Sequence, residues 1–110
     1  RAESDRFRKL IRGATPHSRY VLHALATLSL NEDHQESFRT RVVYDVYEEV
    51  CDEYSSDPLS LRRVRDLLKE HAFLDVIEQS NQGGGTDGVY TAHRLIEDPD
   101  TVHEVLVDTE

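Results

Sequence analysis

Three cations recur at helical spacing in a chain that is acidic as a whole. Arg62, Arg65 and Lys69 lie at positions i, i+3 and i+7, so a helix would carry them as one narrow stripe. Guanidinium groups arranged in this way can bond to guanine O6 and N7 in a major groove, or they can bind phosphates. Arg63 falls on the flank of the same helix, within reach of a flanking phosphate. The stripe therefore predicts contact with DNA, and the alternative is an ordinary solvated face of mixed charge.

The helix that positions this stripe is predicted to begin after Ser60 and to end near Ala72. Ser60 is a favourable N-cap residue, and the free N–H groups of the first turn could bind a phosphate. The opposite side of the helix is apolar, which predicts that it packs against a core. Its residues are Leu61, Val64, Leu67, Leu68 and Ala72.

A glycine-rich hairpin is predicted after this helix. Two β-rich segments, 74–79 and 89–95, flank a loop over 80–88 that holds four of the five glycines. The loop contains three consecutive glycines, Gly83, Gly84 and Gly85. Without side chains there, the backbone could approach a DNA groove or a phosphate closely. The nearest cation is Arg94 on the return strand, because the loop holds no Lys or Arg. The alternative is a flexible hairpin tip without a ligand.

The remaining elements complete a recognisable order. Helices are predicted over 16–31 and 40–54, a short strand over 37–39 could lie between them, and a last short helix begins near residue 98. The order helix, helix, helix, hairpin, helix predicts an α+β, mainly helical fold. We expect a winged helix-turn-helix with a three-helix core, a β-hairpin wing and a C-terminal helix. A generic α+β domain is the alternative.

The composition fits a single folded domain with no contact with a membrane. The 110 residues include 29 Leu, Ile, Val and Phe, yet no apolar run exceeds three or four residues. A membrane span needs about 20. A single cysteine, Cys51, cannot form an internal disulfide, which favours a reducing compartment and a cytoplasmic location. The chain lacks methionine, which predicts that it is a piece of a longer protein.

The net charge of the chain reflects the salt content of its solvent more than the chemistry of its binding partner. The net charge is −9, and 11 of the 13 cations are Arg. Acidic, Lys-poor proteins are typical of a salt-rich cytoplasm, where a Debye length of about 3 Å screens carboxylate repulsion. Only 1–12 and 58–72 are locally basic, at +3 and +2, whereas 45–57 and 95–110 each sum to −6. The basic character of 58–72 is therefore informative.

We expect the melting temperature to rise from low salt to molar KCl. The segments 45–57 and 95–110 contain 12 of the 22 carboxylates and no Lys or Arg, so they repel themselves when unscreened. Thermal melts at increasing KCl measure this effect. A melting temperature that stays constant or falls would contradict the halophilic interpretation.

No catalytic or metal site is predicted. Six histidines are too scattered for a local metal motif, and Cys51, beside the apolar stripe of the second helix, is interpreted as a buried inert thiol. No Gly-x-x-x-x-Gly-Lys-Ser/Thr phosphate loop occurs in the sequence. The chain is therefore not expected to be an enzyme by itself or to hold a cofactor.

Four stretches together resemble one known module. They are 19–28, 44–47, Pro-Leu-Ser-Leu-Arg-Arg-Val at 58–64 and the glycines at 83–85. The chain resembles the C-terminal winged-helix domain of archaeal origin-recognition and cell-division-control replication initiators, in its halophilic form. The resemblance covers about 5–107 and is most distinctive at 58–64. It departs from the family at the wing tip, where Gln82, Thr86 and Asp87 stand in place of a basic residue.

The resemblance implies a parent protein that is an AAA+ ATPase, with ATP and Mg²⁺ bound outside these residues. Residues 1–14 would be a linker and the end of the preceding ATPase lid helix, and 15–110 the DNA-binding domain. The third helix would enter the major groove of double-stranded origin DNA and the wing would lie on the minor groove. Other replication proteins are possible partners.

Two other functions remain open at this stage. Winged helices also bind proteins through the third helix or the wing, and acidic segments such as 45–57 and 95–110 would suit such docking. The stripe of cations favours DNA, since a protein-docking module has less reason to keep it. A small transcriptional regulator is disfavoured, because 99–107 is short for a dimerisation helix.

Overall fold

The computed structural model of the chain describes residues 2–32, 34–83 and 88–109. Within these residues, five helices and three strands follow the predicted order and form the predicted winged helix. In chain order they are α1 (Ala2–Gly13), α2 (Pro16–Asn31), β1 (Phe38–Arg39), α3 (Thr40–Glu53), α4 (Leu61–Phe73), β2 (Ile77–Gly83), β3 (Val89–Leu95) and α5 (Pro99–Thr109). In the described part of the chain, no helix is both long and apolar enough to cross a membrane.

The core is built around α2. An unbroken run of its residues, 20–26, is buried, because α3 packs on one side of the helix and α5 on another. From α4, Val64 and Leu68 reach this core fully buried, which confirms the apolar side predicted for that helix. Burial of side chains of this size stabilises the fold by about 1.5–3 kcal/mol each. It fixes the orientation of α4, so that the opposite face of the helix is exposed to solvent.

The first helix packs into the same core. Phe7 and Ile11 of α1 are 2% and 1% exposed, and α1 also contacts α5. Through Phe7 and Ile11, α1 is therefore packed against the rest of the described structure. The boundary near residue 14, and the origin of this helix in an ATPase lid, stay predictions.

The sheet is antiparallel, with strand order β1-β3-β2. The short strand predicted near 37–39 is confirmed, since Phe38 pairs with His93 and Arg39 with Ala92. The hairpin is confirmed by the register from Ile77↔Leu95 to Gly83↔Val89.

The predicted start of the first wing strand is wrong. We expected a strand over 74–79, but α4 continues to Phe73, Leu74 is its C-cap, and β2 begins at Ile77. Asp75 has φ of 60°, and the N–H group of Val76 bonds to the carbonyl of His71, so the chain turns before it pairs. The strand then runs to Gly83, because pairing with β3 continues through polar residues that the sequence pattern places in the loop.

Candidate nucleic-acid interface

The cations of α4 form the exposed face that the sequence predicts. Arg62, Arg63, Arg65 and Lys69 are all exposed, and among the described residues none of the four forms an ion pair with a carboxylate. Ser60 is the N-cap, and its Oγ accepts a hydrogen bond of 3.2 Å from the N–H group of Arg63. The stripe and the helix start are thus free to contact a ligand in solvent.

Two tyrosines of α3 hold the turn that leads into α4. The hydroxyl of Tyr44 donates to the carbonyl of Leu59 at 2.7 Å, and the hydroxyl oxygen of Tyr47 accepts from the N–H group of Leu59 at 2.8 Å. Tyr47 is fully buried, and burial raises the pKa of its phenol. Both backbone groups of Leu59 are therefore fixed one residue before the N-cap Ser60, which sets the direction of α4.

A histidine of α2 extends this turn network. Nδ1 of His17 hydrogen-bonds to the hydroxyl oxygen of Tyr47 at 2.7 Å. Nε2 of His17 hydrogen-bonds to Oγ of Ser56 at 3.2 Å. Cys51 lies beside it, buried, and burial raises the pKa of its thiol, so that the inert thiol is favoured. Sequence reasoning missed this network, since Tyr47 fits an apolar stripe equally well.

The wing depends on glycine at its described end. Gly83 has φ of +86°, and a Cβ atom there would lie 2.5 Å from the carbonyl oxygen of Gly88 and 2.8 Å from the Tyr90 ring. Glycine alone fits both the backbone and the space. Gly84 and Gly85, with the departures at 86 and 87, lie outside the described residues, and their contact with DNA stays a prediction.

Arg94 is not brought to the stripe on α4. Its guanidinium donates to Oε1 of Glu78 at 2.8 Å, across the hairpin end remote from the wing tip. This hydrogen bond raises the pKa of Arg94. The side chain also borders an acidic depression with Glu32, Glu36 and Glu97. A DNA contact by Arg94 stays a prediction, and these surroundings disfavour it.

A basic groove that sequence reasoning missed joins α4 to the wing. Its volume is about 570 Å³, and its lining includes Arg39, Arg41 and Arg65 together with Asn81 and Tyr90. Arg39 and Arg41 are both exposed. They escaped notice because the segment 13–44 has no net charge. The available signal was local: two arginines flank the junction between the short strand and the second helix.

The buried histidines have structural partners. Nε2 of His71 donates to the carbonyl of Ser18 at 3.0 Å, and burial lowers the pKa of His71. His93 bonds to Thr40 and Gln79. Within the described ranges, no group of three His, Cys, Asp or Glu residues could hold a metal ion.

Comparison with known proteins decides the family. The family model described as "CDC6, C terminal winged helix domain" matches residues 9–105. The chain belongs to this family. It is 45% identical over 106 residues to ORC1-type DNA replication protein 9 of Haloarcula marismortui, covering 94% of this chain and 26% of that protein. It is 44% identical over 108 residues to ORC1-type DNA replication protein 4 of Halobacterium salinarum, covering 97% and 26%. The resemblance to halophilic archaeal initiators is therefore confirmed.

Solved structures share the fold of this Cdc6-type winged helix. The Orc1 protein of Aeropyrum pernix in complex with DNA matches with a TM-score of 0.84 at 24% identity, covering 97% of this chain and 27% of that one. Cdc6p of Pyrobaculum aerophilum matches with a TM-score of 0.77 at 20% identity, covering 93% and 25%. The chain spans about a quarter of the length of each of the two curated relatives named above.

Proposed function

We propose that this winged helix binds double-stranded origin DNA, with α4 in the major groove. The observation that carries the proposal is the exposed stripe of Arg62, Arg65 and Lys69, which has no ion pair among the described residues. It lies on the helix that follows the turn held by Tyr44 and Tyr47. Arginine at such positions recognises guanine bidentately, and lysine binds phosphate. The Orc1 protein of Aeropyrum pernix, which shares this fold, has a structure in complex with DNA, and this supports the same use of the fold here.

The acidic remainder of the domain is compatible with DNA binding. All six carboxylate side chains of 45–57 are exposed, on α3 and the turn beyond it, whereas the outer face of α4 carries the cations. At molar salt a Debye length of about 3 Å confines the repulsion between carboxylates and phosphates to near contact. The same salt weakens counterion release, so direct contacts with bases must supply more of the affinity.

The parent chain is proposed to be a cytoplasmic replication initiator that binds ATP and Mg²⁺ outside these residues. The domain itself would position that ATPase on the origin and would catalyse nothing. Its membership of the Cdc6 winged-helix family supports this role, as does the relatives' description as ORC1-type DNA replication proteins.

A second candidate function is docking of another replication protein. Phe73, at the end of α4, is 85% exposed and offers a large apolar side chain that a partner could cover. This site lies at the opposite end of α4 from Ser60. Both functions could therefore operate in one domain, and loss of Phe73 would affect only the second.

Titration of fluorescent duplexes with the parent chain at high KCl tests DNA binding. We expect an origin duplex to bind more tightly than a scrambled duplex of equal length and composition, on the order of 10³-fold when specific contacts dominate. Footprinting of the bound duplex should show protection in one major groove. Equal binding of the two duplexes, or no binding, would contradict the proposal and favour protein docking.

A further inference from the structure

We infer that the basic groove between the start of α3 and the wing binds the sugar-phosphate backbone of the duplex, with Arg39 as its positioned phosphate ligand. This inference rests on the proposed function, because the groove would take the strand beside the major groove that α4 enters. The groove adds a contact through Arg39, which belongs neither to the helix stripe nor to the glycine loop.

The charge of the groove suits a phosphodiester. Three guanidinium groups line it, from Arg39, Arg41 and Arg65, and among the lining residues that the structure describes none is acidic. Arg41 forms an ion pair of 3.4 Å with Asp45, but both side chains are more than half exposed, at 69% and 56%. Such an exposed pair is weak, so Arg41 can exchange the carboxylate for a phosphate.

The position of Arg39 is fixed before any ligand arrives. Arg39 pairs with Ala92 in the sheet, so Tyr90, two residues away on β3, lies diagonally across the same face. The guanidinium carbon of Arg39 lies 3.8 Å from the centroid of the Tyr90 ring. Within the described residues Arg39 has no carboxylate partner. The stacked cation therefore loses less side-chain freedom on binding than a free arginine would.

The sheet edge beside Arg39 supplies neutral polar groups. β1 ends at Arg39, and in the described chain it pairs with β3 only at two positions, so it leaves β3 unpartnered on that side from Val89 to Thr91. Asn81, which pairs with Thr91 across the hairpin, also lines the groove. A strand edge with an amide and a hydroxyl nearby can donate to phosphate oxygens, as positioning contacts commonly do.

Salt titration of the Arg39→Ala parent chain tests this site. The logarithm of the binding constant should fall less steeply with the logarithm of KCl concentration, by about one unit of slope for one lost phosphate contact. The loss should be equal for origin and scrambled duplexes, because a phosphate carries no sequence. Arg12→Ala, which removes an exposed arginine of α1 outside the groove, is the matched control and should keep the slope of the wild type.

The variant Tyr90→Leu distinguishes the effect of stacking Arg39 on the Tyr90 ring from the effect of the Arg39 charge. The variant keeps the Arg39 cation, so we expect an almost unchanged salt slope with an affinity about three- to fivefold lower. Arg41→Ala lies on α3 outside the sheet and provides a second variant for the slope measurement. Melting temperatures identify which variants fold as the wild type does.

The outcomes separate this inference from the proposed function. If neither Arg39→Ala nor Arg41→Ala, folded as wild type, changes the slope while Arg62→Ala, which lies outside the groove lining, loses binding, the groove is overturned and α4 recognition stands. If Arg39→Ala instead relaxes sequence preference at constant slope, Arg39 reads bases and the phosphate assignment is wrong. If the wild type binds neither duplex, both proposals fail.

Discussion

Replacement of Arg62 and Arg65 by alanine should remove most of the preference of the parent chain for origin DNA. Each arginine that reads a base contributes about 1–3 kcal/mol of discrimination, so the pair contributes about 2–6 kcal/mol, or about 30-fold to 10⁴-fold. Both side chains are exposed and project from a helix whose opposite side is fully buried at Val64 and Leu68, so the variant should keep its fold.

The measurement is a titration of origin and scrambled duplexes at constant high KCl, with melting temperatures as a check of folding. Arg63→Ala is the matched control, because it removes a cation from the flank of the same helix. Loss of a flanking phosphate contact should weaken both duplexes alike and leave their ratio unchanged. Equal affinity and equal discrimination for the double variant and wild type would take α4 out of the DNA interface and favour docking of a protein there.

The site on α4 could be predicted from sequence because every determinant is local. A helical periodicity over 13 residues predicts both the apolar side and the cation stripe, and Ser60 marks the N-cap of that helix. The structure adds what fixes the helix in place: Tyr44 donates a hydrogen bond to the carbonyl of Leu59, and Tyr47 accepts one from its N–H group. Those bonds cross from one helix to the next turn, and a tyrosine in an apolar stripe does not reveal where its hydroxyl points.

The wing strand was misplaced because side-chain pattern and backbone pairing disagree there. The apolar residues at 74–77 look like the start of a strand, yet Leu74 caps α4 and Asp75 turns the chain. The polar residues at 80–82 look like a loop, yet they pair with β3 because the opposite strand continues. Only the long-range register, set by β3, decides between the two.

The sequence shows the two arginines of the basic groove but not the contacts that assemble the groove. Arg39 and Tyr90 are 51 positions apart and meet only because β1 pairs with β3. A sum of charge along the sequence hides Arg39 and Arg41 among nearby carboxylates of the same segment. Conversely, Arg94 looked available in sequence, and the cross-strand register places Glu78 against it. Pairing between strands that are distant in sequence therefore decides which charged side chains are available for binding.

Acidification should destabilise the domain through His93. This side chain is 1% exposed, and burial lowers the pKa of its imidazole from 6.5 to about 4. The amide nitrogen of Gln79 donates to Nδ1 at 3.2 Å, so Nε2 carries the proton and donates to Oγ1 of Thr40 at 2.7 Å. Added protonation would place a second donor at Nδ1, facing the Gln79 donor, inside the core.

The sign follows from this lowered pKa. Above pH 6.5 both the folded and the unfolded protein hold His93 neutral, and its contribution to stability is complete. Between pH 6.5 and about 4, His93 binds a proton in the unfolded chain but remains neutral in the folded chain. The free energy of unfolding therefore falls as pH falls. The loss approaches about 3 kcal/mol below the folded pKa. Burial also lowers the pKa of His71, which changes stability in the same direction.

Denaturant unfolding at fixed KCl, from pH 7.5 to pH 4, measures this dependence, and His93→Gln is its control. The glutamine does not titrate and can still donate to Thr40, so its variant should be less stable at pH 7.5 but should lose less stability on acidification. The difference between the two pH profiles isolates His93 from His71 and from the carboxylates, which both proteins share. Parallel profiles over this range would show that protonation of His93 does not limit the fold, and that its side chain is accommodated in the charged form.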